Sequence, residues 1–182
     1  ARDAGGNVFA ETCPQYLYFT LEETLGKPGF EGAKWVCSTP VRSKTNDPHY
    51  IGQMGHGHQS DLWKGLRMNE LAIVSTDHCP FCFKDQKEMG LGNFSAIPNG
   101  IGGVEHRMEL LYQGVANGEL SLERWVETCC TTPARMFGLY PKKVNDGKRP
   151  APFGARITFD DPSGPVSIDA ESFRSMGVEI QR

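Results

Sequence analysis

Long apolar runs are missing from these 182 residues. No stretch approaches the roughly 18 consecutive apolar positions of a membrane-spanning helix, so a membrane is not an expected partner. A basic excess is missing too. Lys and Arg number 19 against 22 Asp and Glu, for a net charge of -3, and the pI is near 6.0. Without a basic footprint, nucleic acid is not an expected partner either. There is no internal repeat, no signal-peptide pattern and no initiator Met. The opening Ala1-Arg2-Asp3-Ala4-Gly5-Gly6 reads as the last turn of a helix with its glycine stop, so the chain is expected to be a piece of a longer one.

What is present fits a soluble globular domain: 38% hydrophobic and 23% charged residues, in a chain long enough to bury a core. Six cysteines (Cys13, Cys37, Cys79, Cys82, Cys129, Cys130) lie mostly in apolar surroundings. Buried free thiols in a cytoplasmic protein are the expectation, rather than a disulfide framework.

Residues 71–83, LAIVSTDHCPFCF, organise the chain. A short Ile- and Val-rich run predicts a buried strand, and Asp77 falls where that strand should end. In α/β folds ligands bind beyond the carboxyl ends of strands. Earlier, Val8-Phe9-Ala10 predicts a strand followed by a loop over residues 11–15. Thr20, with Glu23 three residues on, marks a helix start, and Trp35-Val36-Cys37-Ser38 predicts a second strand. Residues 43–60 read as a loop, and residues 61–70 as a helix with Leu62, Trp63 and Leu66 on its apolar face. Residues 84–100 read as a long loop able to cover a site. Val104, Met108, Leu111 and Val115 share one helix face. Ser121 caps a further helix, and Thr132-Pro133 starts another that stops at Gly138. Residues 142–152 are polar and basic, and strands are expected at 156–159 and 166–168. This order predicts an α/β fold: part of a parallel β/α barrel or of a doubly wound sheet.

Three constellations compete for chemistry. Cys79-Pro80-Phe81-Cys82 matches a thiol redox site locally, if a helix follows to lower the first thiol's pKa. No later Thr-Val-Pro-like segment supports that fold. His56-Gly57-His58 has metal-ligand spacing, but it sits in a Gly-rich stretch with no strand before it, which favours a solvated loop. His49 and His106 read as ordinary surface or helix residues. The third constellation is Asp77-His78 with Ser38 and Asn99, each placed after a predicted strand or in the loop that follows one. A strand-end carboxylate can ligate a metal or move a proton; it can equally be a buried Asp satisfied by backbone donors.

Four blocks carry a resemblance. They are Phe9-Ala10-Glu11-Thr12-Cys13-Pro14-Gln15-Tyr16-Leu17, Ser75-Thr76-Asp77-His78-Cys79-Pro80-Phe81, Ile97-Pro98-Asn99-Gly100 through Gly103-Val104-Glu105, and residues 132–143 beginning Thr132-Pro133-Ala134-Arg135. In this order, across residues 1–143, they resemble the dihydropyrimidinase and hydantoinase family of the amidohydrolase superfamily. The resemblance implies the C-terminal part of a TIM-type (β/α)8 barrel over residues 1–143. Residues 144–182 would be the remnant of a small β domain or a divergent tail. It also implies a two-metal site, usually zinc, whose hydroxide attacks the ring amide of a dihydropyrimidine or hydantoin. Asp77 matches the family's aspartate, which ligates one metal and shuttles the proton to the leaving nitrogen. Ser38 and Asn99 match the residues whose backbones hold the substrate ring from opposite sides. The Cys79–Cys82 pair then becomes the wall behind Asp77.

The departures are specific. Thr39-Pro40 stands where the family usually has Pro-Pro, and the loop over residues 45–59 is longer than expected. The motifs fade after Lys143. The family's His-x-His pair, carboxylated lysine and two further metal histidines belong to an earlier half of the barrel that this chain does not contain; His56 and His58 do not stand at that position. The 182 residues alone are therefore expected to be inactive, the longer parent to be a hydrolase, and a homo-tetramer is implied for that parent. Other readings are an allantoinase-like hydrolase and a non-enzymatic relative of the collapsin response mediator type. In the latter the site aspartate and the Pro-Asn-Gly asparagine are typically replaced, whereas Asp77 and Asn99 are both present here.

Overall fold

The computed structural model describes residues 2–44, 57–140, 157–161 and 164–168, the last two ranges as backbone only. His49, His56, most of the loop expected over 45–59 and the basic stretch over 142–152 lie outside the described residues. The chain divides into two compact units, Ala1–Ser121 and Leu122–Arg182.

The first unit is built on a parallel pair. β1 (Glu11–Thr12) lies beside β2 (Ile73–Val74) in the register Glu11↔Ile73, Thr12↔Val74. Flanking bonds extend the ladder: Ala72 N–H donates to the Ala10 carbonyl (2.8 Å) and Ser75 N–H to that of Thr12 (3.0 Å). The strand expected at residues 8–10 thus forms later. Val8 and Phe9 stay half exposed and lead into the ladder instead of joining it. The longer strand expected in residues 71–76 contracts to Ile73–Val74, both buried. Parallel strands need a long crossover, and here it carries two helices.

The first, α1 (Pro14–Tyr18), replaces the loop expected over residues 11–15. Pro14 occupies the first helical turn, where a missing N–H costs nothing. The predicted cap at Thr20 is made without its helix. Glu23 N–H donates to Thr20 Oγ (3.3 Å) and the Thr20 hydroxyl donates to Glu23 Oε2 (3.0 Å). The chain then closes a turn, with Gly26 N–H on the Leu21 carbonyl at 2.8 Å. Gly26 and Pro28-Gly29 leave too few residues to propagate a helix. The strand expected at 35–38 is also absent. Glu31–Trp35 is a 3-10 turn, and residues 36–43 run without a ladder partner.

α2 (His58–Arg67) is the helix expected near residues 61–70, entered three residues earlier because Gly57 N–H donates to Ser60 Oγ at 3.0 Å. It buries Trp63 and Leu66. The Trp63 ring meets Tyr18 of α1 edge-on, with centroids 5.8 Å apart. It also lies against α3 (Arg107–Ala116) at Gly114, where a Cβ would sit 2.5 Å from Trp63 Cη2. A small residue at 114 is what lets α3 approach the indole. Leu111 is fully buried, whereas Val104, expected on the same helix face, precedes the helix and is exposed.

In the second unit, α4 (Leu122–Val126), a π turn (Glu127–Thr131) and α5 (Thr132–Met136) form one uninterrupted helical run. Thr132-Pro133 therefore does not start a new helix. Pro133 has no N–H to donate and its ring crowds the turn before it; the wider π turn accommodates both. Gly138, at φ +66°, ends the run as expected. β3 (Ile157–Asp161) and β4 (Gly164–Ile168) pair antiparallel, from Ile157↔Ile168 to Asp161↔Gly164, where strands were expected. The coarse α/β class holds, with only this hairpin and the β1–β2 pair as named sheets among the described residues.

Candidate functional site

Asp77 sits just past β2, at the carboxyl end of the parallel pair, and its side chain is exposed. Its φ of +47° lies in the left-handed region, which Asp tolerates better than most residues. The kink turns the chain out of the β1–β2 ladder and into a parallel bridge between His78 and Ile101. Cys79 N–H donates to the Ile101 carbonyl at 3.1 Å. His78 Nδ1 accepts two backbone N–H groups, from Gly103 (3.0 Å) and Val104 (3.2 Å). That nitrogen therefore carries no proton, and the ring's proton stands on Nε2. Upstream, buried Gln15 donates Nε2 to the Thr76 carbonyl (3.4 Å), and Cys13 Sγ lies 3.1 Å from Ser75 Oγ. Asp77 is thus framed by contacts to its neighbours on both sides.

A cleft of about 1220 Å³ opens in this unit, lined among others by Cys13, Tyr16, Ser38, His58, Ser75 and Asp77. Burial pushes the Cys13 and Cys37 thiols above the ordinary range, and Asp77's charge adds to both shifts. Burial likewise raises the Tyr16 phenol. These groups are neutral donors near neutral pH, not nucleophiles.

Ser38 and Asn99, 61 residues apart, are brought together: Ser38 Oγ donates to Asn99 Oδ1 at 3.3 Å. Both are exposed. Their flanks are pinned. The Val36 carbonyl accepts Gly100 N–H (3.0 Å). The Thr39 carbonyl accepts the Tyr16 hydroxyl (3.0 Å) and the Cys37 thiol (3.2 Å). Lys87, which the sequence hid inside a polar loop, is buried and donates to the Val36, Pro98 and Gly100 carbonyls at 2.8, 2.6 and 2.9 Å. Desolvation lowers its pKa. Among the described residues, the backbone N–H and C=O groups of Ser38 and Asn99 themselves take no internal partner. The N–H and C=O of these two residues are therefore held, without a partner among the described residues, on well-anchored segments.

A catalytic zinc normally takes three protein ligands. Among the described residues no group of three or more His, Cys, Asp or Glu is placed to hold a metal. The residues present do not by themselves fit the two-metal centre that the resemblance implies, and no chemical step is derived through it. His58 opens α2 and lines the cleft. His106 is exposed beside Glu105 and Glu109. Cys79 and Cys82 are exposed free thiols. Turns and a 3-10 segment (Lys87–Gly90) follow them, so the helix a redox site requires is missing. No described helix is long and apolar enough to cross a membrane.

No family model matches the chain. Curated proteins do. A D-hydantoinase from Streptomyces coelicolor is 53% identical over 172 residues, 94% of this chain and 33% of that protein. A D-hydantoinase from Rhizobium radiobacter is 39% identical over 175 residues, 96% of this chain and 35% of that protein. Both matches run well past residue 143, where the quoted motifs end. Among solved structures, the dihydropyrimidinase from Brevibacillus agri superposes with a TM-score of 0.71 at 40% identity, over 86% of this chain and 31% of that one. The chain spans about a third of the length of these relatives.

Proposed function

We propose, because this chain belongs to the dihydropyrimidinase and hydantoinase family, that it forms part of a hydrolase that opens the ring of a small cyclic amide. The observation that carries the reading is the Ser38–Asn99 pair: two residues whose own backbone N–H and C=O take no partner among the described residues, joined by a side-chain hydrogen bond. A ring amide presents a donor and an acceptor side by side, which is what the N–H and C=O of two such residues can meet. Asp77, exposed at the strand end and lining the cleft, is the candidate proton carrier between the attacking water and the leaving ring nitrogen.

The proposal includes metal dependence, with zinc as the metal and Asp77 as the ligand this chain contributes. When bound, such a metal supplies an activated water. Residues 1–143 are assigned to the C-terminal part of a (β/α)8 barrel, residues 144–182 to the remnant of a small β domain or a divergent tail, and the longer protein to a cytoplasmic homo-tetramer. The 182 residues alone are taken to be inactive.

The test is ring opening of hydantoin and of dihydrouracil by the longer protein, with and without chelator, beside the 182-residue chain. Chelator-sensitive hydrolysis by the longer protein supports the reading. No hydrolysis of either ring by the metal-loaded longer protein refutes it. Turnover by the short chain above a metal-free control refutes the inactivity of the fragment.

A further inference from the structure

Lys87 has the most unusual environment of any charged residue described. It is 1% exposed, and no acidic side chain among the described residues pairs with it. An ammonium taken out of water without a counter-ion is costly unless its hydrogen-bonding capacity is met. Here it is met in full: three N–H donors, three backbone carbonyls, at 2.6 to 2.9 Å. The Phe81 ring, 5.5 Å away, adds a favourable face for the charge.

The choice of carbonyls gives this arrangement a purpose. One belongs to Val36, two residues before Ser38. The other two belong to Pro98 and Gly100, on either side of Asn99. One cation therefore ties the two substrate-holding segments to each other while leaving the N–H and C=O of residues 38 and 99 themselves without a partner among the described residues. Gly100 completes the clamp. Its N–H donates to the same Val36 carbonyl, and a Cβ there would lie 2.2 Å from the Cys79 carbonyl oxygen.

We propose that Lys87 is a positioning residue that sets the separation of the Ser38 and Asn99 segments, and thereby the fit of a ring amide between their backbone groups. This rests on the ring-amide reading of those two residues. Removing the ammonium while keeping the length of the side chain leaves three carbonyls without their shared donor, and the two segments are then tied only by the Gly100–Val36 and Ser38–Asn99 hydrogen bonds, so their separation loosens.

The experiment places Lys87→Met in the longer protein. It reads hydantoin hydrolysis together with hydrogen exchange of the peptides covering residues 36–40 and 97–102. The expected result is a KM raised about tenfold with kcat within about twofold of the parent. Exchange in both peptides should rise about tenfold while the rest of the barrel is unchanged. Lys87→Arg keeps charge and donors and should recover at least half of the lost KM. If Lys87→Met does not fold, Lys87→Gln, which gives up the charge and cannot reach all three carbonyls, takes its place: KM raised severalfold with kcat held supports the proposal, and KM unchanged overturns it. Unaltered exchange in both peptides, or a fall in kcat at constant KM, also overturns it. If the parent opens neither ring, the functional reading fails and the exchange comparison alone decides whether Lys87 holds the two segments.

Discussion

Ser38 and Asn99 meet through a single hydrogen bond, Oγ to Oδ1 at 3.3 Å, across 61 residues of chain. The Asn99 amide also donates Nδ2 to the Ile97 carbonyl at 3.2 Å, which fixes which end of the amide faces Ser38. The bond links side chains, whereas the proposed substrate contacts are backbone. A double-mutant cycle separates the two roles. Ser38→Ala and Asn99→Ala should each raise KM for hydantoin by a few fold. The double variant should be less damaging than the product of the two, with a coupling of about 0.5–1.5 kcal/mol, the usual range for one hydrogen bond. Strict additivity would show that the contact does not organise the site.

Asp77 should be separable from the fold. Asparagine has nearly the same shape and accepts the left-handed backbone at φ +47°. Asp77→Asn in the longer protein should therefore leave the melting temperature within a few degrees and lower kcat about 10²–10⁴-fold, the range of positioned acid–base groups. Retained activity would remove Asp77 from the mechanism.

Gly100→Ala should be destructive for steric reasons. Its Cβ would enter within 2.2 Å of the Cys79 carbonyl oxygen and 2.9 Å of Cys79 Cβ, at a backbone φ of +155°. The expected loss is at least the ~1–3 kcal/mol of an overpacked site, read as a lowered denaturant midpoint. By contrast, Gly92→Ala, at φ +77° with nothing within 4 Å, should cost less.

The thiols should sort by burial. Cys79 and Cys82 are exposed, whereas Cys13, Cys37 and Cys129 are buried. Iodoacetamide at neutral pH should modify the exposed pair first. Burial raises Cys13 and Cys37, so their thiolate fraction falls short of a free thiol's until the pH passes the ordinary thiol range. Their labelling rates should therefore keep climbing with pH after those of an unfolded control have levelled. Early labelling of Cys13 or Cys37 would contradict the packing described here.

Acid should find Glu22. Hydrogen bonds from the Ser43 hydroxyl, first, and from backbone N–H groups, including Lys44's, hold its carboxyl below the usual range. A carboxyl lowered in the folded state stabilises the fold above the unfolded pKa, and that contribution disappears as pH falls through the folded value. The stability advantage of the parent over Glu22→Gln should be present at neutral pH and vanish on the acid side. An advantage that persists at low pH would contradict the assignment.

Much of the candidate site was legible because its residues are marked by local context. Asp77 follows an Ile-Val run, and Asn99 sits in a Pro-Asn-Gly segment. Lys87 was not legible. A lysine in a polar loop looks solvated, and its burial depends on three carbonyls supplied by segments 11 to 51 residues away. Strand positions failed for a related reason. Val8 to Ala10 and Trp35 to Ser38 have strand-like composition, but a strand exists only where a neighbour offers a matching ladder, and pairing decided that at Glu11–Thr12 instead. The Thr132-Pro133 start failed because a π turn let the helix run through a proline that local rules treat as a boundary.

The register Glu11↔Ile73 also sets a clock. Synthesis proceeds at about 5–20 residues per second, so β1 leaves the ribosome roughly 3–12 s before its partner does. Through that interval the backbone of Glu11–Thr12 has no β2 to pair with. A nascent chain stalled anywhere in the crossover should therefore be a better chaperone substrate than one stalled far enough past Val74 for β2 to have cleared the ribosome.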